Sequence, residues 1–111
     1  AVSRYAHQRK VILVDEYDIA LALTDSFAFE VAAGERVSVH PLAPVTFWQS
    51  EGLKYPLKGL KLAPGVRIGS SNTAVNGPFS IVPEEGIHAP FLLIIDRKHL
   101  LRLVAQLLAA A

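Results

Sequence analysis

The sequence predicts a mostly-β domain, an antiparallel sandwich of jelly-roll type with a helix at its C-terminal end. Three observations carry this. Short apolar runs alternate with a period of two, turn residues separate them at near-regular intervals, and helical spacing takes over only after Asp96. The chain has 111 residues, 51% of them hydrophobic and 19% charged, which suits one globular domain with a modest core.

Taken in order, Lys10 to Glu16 (KVILVDE) is a short apolar run with β-branched residues and reads as a buried strand. In DIALALT, Ile19, Leu21 and Leu23 point one way while Ala20 and Ala22 point the other. After the Thr24-Asp25-Ser26 turn, Phe27, Phe29 and Val31 alternate against Ala28 and Glu30. Ala33-Gly34-Glu35 is a further turn, and RVSVH alternates through Val37 and Val39. Further strands are predicted at VTFWQ, LKYPL, LKLAP, VRIG, FSIV and FLLIID, with all the prolines at or near the ends of runs. A lone tryptophan in a small domain, here Trp48, reads as core. From Asp96, a suitable N-cap, Leu100, Leu101, Leu103, Val104, Leu107 and Leu108 follow helical spacing and predict a leucine face.

The opening AVSRYAH reads as the last turns of a helix leading into a strand. There is no methionine anywhere, so the chain reads as a piece of a longer protein. On this reading residues 1–16 are the tail of a preceding unit, and residues 17–111 are the sandwich with its helix.

The charge balance excludes several classes of partner. Eleven Lys and Arg face 10 Asp and Glu, a formal net charge of +1, and the basic residues are scattered, which does not favour nucleic acid. No apolar run is long enough to span a bilayer and no signal-peptide pattern opens the chain, so no membrane partner is expected. Without cysteine there is no disulfide framework or cysteine-based metal site, which fits a reducing cytoplasm.

Catalytic motifs are missing. The four histidines (7, 40, 88 and 99) are scattered, and there is no nucleophile elbow, zinc spacing, P-loop or dinucleotide fingerprint. One acidic cluster, Asp15-Glu16-Tyr17-Asp18, has the oxygen ligands Mg2+ prefers, but carboxylates in a turn between apolar strands are commonly just solvated. No catalytic residue and no metal site are assigned to this chain.

The stretch from Glu51 to Asn72 carries polar residues that a sheet does not need. Gly52-Leu53-Lys54-Tyr55-Pro56-Leu57, then Leu62 and Gly65, then Gly69-Ser70-Ser71-Asn72 resembles the C-terminal vitamin-binding domain of thiamine pyrophosphokinases. That family shows G-L-K-[WY]-x-L followed by [SG]-[ST]-S-N. RVSVHPL and FLLIIDR resemble its flanking strands, so the resemblance runs from about Gly34 to Arg97. It implies a parent enzyme that transfers pyrophosphate from ATP to thiamine with Mg2+, as a homodimer. The nucleotide and metal motifs of such enzymes belong to an N-terminal α/β catalytic domain, of which residues 1–16 would be the tail. This chain alone would then bind neither ATP nor Mg2+ and would be inactive.

Thiamine has a flat aminopyrimidine and a cationic thiazolium, both suited to an aromatic face and a few hydrogen-bonding groups. By the resemblance, Tyr55 is the stacking wall, and Ser71 and Asn72, with Ser70 second, recognise polar atoms. Lys54, next to Tyr55 on a strand, is expected on the opposite face, near product phosphates or in solvent. Taken alone, Tyr55 is an ordinary sheet aromatic and Ser70-Ser71-Asn72 is ordinary turn chemistry. The chain departs from the family where Thr73 follows Asn72, in place of the acidic residue of many bacterial relatives, and where TFWQSEG is bulkier than usual. The alternative function is a non-enzymatic β-sandwich interaction module.

Overall fold

The computed structural model describes residues 10–65, 72–86 and 88–110. In chain order the strands are β1 (Val11–Val14), β2 (Asp18–Leu23), β3 (Phe27–Glu30), β4 (Ser38–Pro41), β5 (Val45–Glu51), β6 (Lys61–Leu62), β7 (Pro78–Pro83) and β8 (Phe91–Asp96). A 3-10 turn over Arg97–His99 leads into the helix α1, Leu100–Ala110. The strands form two antiparallel sheets, ordered β1-β2-β8-β4 and β3-β7-β5-β6.

Alternation explains how the two sheets meet. Ile19, Leu21 and Leu23 of β2 and Phe91, Leu93 and Ile95 of β8 share one face, because Ile19 pairs with Ile95, Leu21 with Leu93 and Leu23 with Phe91. Phe29, Phe47, Phe79 and Ile81 supply the facing layer from the second sheet. Phe47 and Phe91 meet edge to face across the core, with ring centroids 5.3 Å apart. The outcome is a mostly-β sandwich with one C-terminal helix, as the sequence predicts.

Asp96 caps the helical segment, its carboxylate accepting a hydrogen bond from Lys98 N at 2.8 Å. The leucine face is narrower than the spacing predicts. Leu103 is fully buried and Leu100 and Leu107 pack on the core, whereas Leu101 and Leu108 are exposed. The helix also closes a sheet edge. Arg102 Nη2 donates to Glu30 O at 2.6 Å and Gln106 Nε2 to Ala28 O at 2.8 Å, so side chains one helical turn apart occupy carbonyls of edge strand β3.

Several expectations need correction. LKYPL is not a strand: only Leu53 forms a bridge, to Ala74, and Pro56 has no N–H to continue a ladder. Trp48 is not core but 60% exposed. β1 is an edge strand of the first sheet, so residues 11–14 are built into the sandwich. The helical reading of AVSRYAH and the predicted VRIG strand lie outside the described residues, and no helix among the described residues is long and apolar enough to cross a membrane.

Candidate functional site

The end of β5 leads directly into the polar stretch. Gly52 turns the chain with φ +77°, and a Cβ there would lie 2.0 Å from Pro78 O, so this position accepts only glycine. Residues 52–55 then run beside residues 72–75. Val75 N donates to Gly52 O at 2.8 Å, Lys54 N to Thr73 O at 2.9 Å, and Leu53 bridges Ala74. On their other side residues 72–74 pair with the β3–β4 connection, through Val37 N to Asn72 O at 3.0 Å and Ala74 N to Glu35 O at 2.9 Å.

The backbone ladder stops at Tyr55 and the Asn72 side chain continues it. Asn72 Oδ1 accepts from Tyr55 N at 3.0 Å and from Thr73 N at 3.0 Å, while Nδ2 donates to Tyr55 O at 2.7 Å. Both acceptor positions of the amide and one of its N–H groups are thus committed to backbone. Asn72 is 3% exposed, buried under this arrangement, while Tyr55 is 55% exposed. The structure therefore joins the two halves of the motif and turns the Tyr55 ring outward. Ser70 and Ser71 lie outside the described residues.

Lys54 differs from its expected position. Its Nζ lies 5.4 Å from the centroid of the Tyr55 ring, within cation–π range, instead of on the opposite face. The face-alternation rule does not carry through because residues 54 and 55 form a bend and not a strand. The locus thus presents an exposed aromatic ring, an ammonium beside it, and a buried amide fixing the backbone between them. Such a surface can stack a flat ring and place one positive charge next to it.

The acidic cluster is turn structure. Asp15 N donates to Asp18 O at 2.9 Å, and the Asp18 carboxylate is paired with the Arg36 guanidinium. No group of three or more His, Cys, Asp or Glu side chains among the described residues is arranged to hold a metal ion.

A second feature escaped the sequence reading. Phe47 pairs with Pro83 and Gln49 with Val82, so Trp48 is the extra residue of a β-bulge. It points into an open cleft of about 870 Å3 between the β2–β3 turn, β5 and the β7–β8 connection. A register shift leaves no mark in the alternation of VTFWQ, and only the exposure of the indole reveals it.

Residues 26–87, more than half of the chain, match the family described as thiamin pyrophosphokinase, vitamin B1 binding domain. The chain belongs to this family. Among solved structures, thiamine pyrophosphokinase from Bacillus subtilis superposes with a TM-score of 0.69 at 15% identity, over 86% of this chain and 45% of that one. The Geobacillus thermodenitrificans enzyme gives 0.69 at 19% identity over 86% and 44%, and the Candida albicans enzyme 0.69 at 16% over 86% and 36%. At these identities the likeness speaks for the fold, and the chain spans less than half the length of each neighbour. Comparison with curated protein sequences returns no match. The Tyr55–Asn72 locus and the Trp48 bulge both lie inside the matched span of this vitamin B1-binding domain.

Proposed function

We propose that this domain supplies the thiamine-recognition surface of a thiamine pyrophosphokinase, and that the whole protein transfers pyrophosphate from ATP to the thiamine hydroxyl with Mg2+. The observation that carries the reading is the clamp by which buried Asn72 holds Tyr55, with its ring exposed, on a family-matched scaffold. Tyr55 is the stacking wall for the aminopyrimidine or thiazolium. Asn72 acts as a positioning residue through its two hydrogen bonds to the Tyr55 backbone. Ser70 and Ser71 supply polar recognition, and Lys54 stands where it can meet the product's phosphates.

Nucleotide and metal binding belong, on this reading, to an α/β domain preceding the present residues. On the same reading the parent acts as a homodimer in the cytoplasm.

The test is titration of thiamine into this chain, followed by backbone amide shifts. Saturable shifts centred on Tyr55 and residues 70–72 are expected. Tyr55→Phe should keep them, and Tyr55→Ala should weaken binding about tenfold, the worth of a good aromatic contact. Should thiamine move no amide here, and should joining the upstream α/β segment of the parent also yield no thiamine diphosphate, the kinase reading is wrong. The interaction module then takes its place.

A further inference from the structure

We propose that the cleft beside Trp48 is a binding site for a small organic cation with a methylated or delocalised positive head, separate from the Tyr55 locus. Neither Tyr55 nor Asn72 lines it. Three independent features of the chain converge there.

The first is the bulge. One residue is inserted into β5 opposite β7, and that residue is the only tryptophan of the chain. Bulges interrupt pairing and re-aim a side chain, and they are common beside binding sites. Trp48 itself has no opposite number on β7, and its indole is 60% exposed at the wall of the cleft. An exposed indole on a β-strand gains nothing for the core; its large, flat, electron-rich face suits a ligand.

The second is size. At about 870 Å3 the cleft falls within the roughly 300–1,000 Å3 typical of small-molecule sites, and the indole supplies an apolar wall. The third is charge. Asp25, Glu84 and Glu85 line the cleft against one lysine, Lys58, and His88 pairs with Asp25 at 3.2 Å. The carboxylates come from two connections, the β2–β3 turn and the segment after β7, that converge on the same opening. Excess negative charge around an indole face is the arrangement that recognises ammonium groups too large and too weakly hydrated for a simple ion pair.

Because Trp48 is the sole tryptophan, its intrinsic fluorescence reads the cleft directly. The probe is choline, titrated beside its neutral carbon isostere, in which a tert-butyl group replaces the trimethylammonium. A saturable change with choline is expected, with the isostere at least about tenfold weaker, the worth of one desolvated cation–π contact. The double variant Glu84→Gln/Glu85→Gln, at exposed positions, should keep the fold and weaken choline about tenfold. Trp48→Leu, followed by amide shifts, should lose the response. Tyr55→Ala should leave it unchanged, which separates this site from the thiamine reading. A response absent with choline, equal for the isostere, unaltered in the Glu84/Glu85 variant, or lost with Tyr55→Ala would overturn the proposal.

Discussion

At Asn72 one side-chain amide takes the place of a backbone rung, and its removal would leave both the N–H and the C=O of Tyr55 without their partner. Asn72→Ala should therefore cost about 1–3 kcal/mol of stability, measured by denaturant unfolding. Asn72→Asp should be worse than its near-identical size suggests, because a carboxylate cannot donate to Tyr55 O. The two changes would also lower thiamine affinity indirectly, by releasing the backbone that aims the ring. Lys54 permits a sharper test of the ligand's placement. Its ammonium already lies 5.4 Å from the Tyr55 ring centroid, where a thiazolium would compete with it. Lys54→Met should tighten thiamine binding a few-fold while weakening thiamine diphosphate, an opposition readable by paired calorimetric titrations. At Gly52 the strain is steric as well as conformational. Gly52→Ala would press a methyl group into Pro78 O, and the stability measured by denaturant unfolding should fall by more than the roughly 1 kcal/mol of an ordinary glycine replacement.

Among the elements, the 3-10 turn and the start of α1 are held by polar contacts as well as by Leu103. His99 Nδ1 accepts from Arg102 at 2.8 Å, since a guanidinium can only donate, and His99 Nε2 then donates to Glu35 Oε2 at 2.8 Å. Lys98 Nζ completes the group 2.7 Å from Glu35 Oε1. The Lys98 hydrogen bond holds the Glu35 carboxyl below its ordinary value of 4.5; partial burial works the other way, and His99 adds to the lowering. A folded value below the unfolded one means that the contribution is complete above about 4.5 and fades as pH falls through the folded value. Glu35→Gln should lower the thermal midpoint at neutral pH and converge with the parent in acid, flattening that limb of the melting profile. The strands and the helix were legible in the sequence because burial imposes a period, as in Ile19, Leu21 and Leu23, and because Asp96 is a cap by chemistry. The network around Glu35 was not, since it joins a turn to a helix 64 positions away. Lys54 and Trp48 were misplaced for a related reason. Both follow from local departures from strand geometry, a glycine turn and a bulge, and the side-chain pattern carries no sign of either. GLKY and GSSN are visible as two motifs in order; that Asn72 makes the join to Tyr55 is a tertiary contact their order does not encode.

On the scale of the whole molecule the two sheets differ in what they show outward. Along β3 and the start of β7 in the second, Ala28, Glu30 and Ser80 alternate with buried Phe29 and Phe79, the pattern of a solvated stretch. In the first, Leu92 and Ile94 of β8 lie on the side away from the core, paired with Ala22 and Ala20, and Leu13 of β1 extends that face at 44% exposure. Strands apolar on both sides are usual where a sheet is covered twice. If the parent is a homodimer or carries a further domain, this face is the natural one to be covered. Sedimentation of the isolated chain should show self-association that Ile94→Lys reduces. The Asn72 clamp has a different consequence at this scale. It fastens two points 17 positions apart, and the chain between them leaves, builds β6 and returns. Closing such an excursion grows costlier only slowly with length, about 0.6 kcal/mol for each doubling. Length can therefore change, but only outside the residues that pack on the core, Leu57, Leu60 and Leu62, while the two ends stay fixed, like a phrase whose first and last words are prescribed. Transplanting the exposed Tyr55 surface into another sandwich would require both ends together, and neither is a portable motif alone.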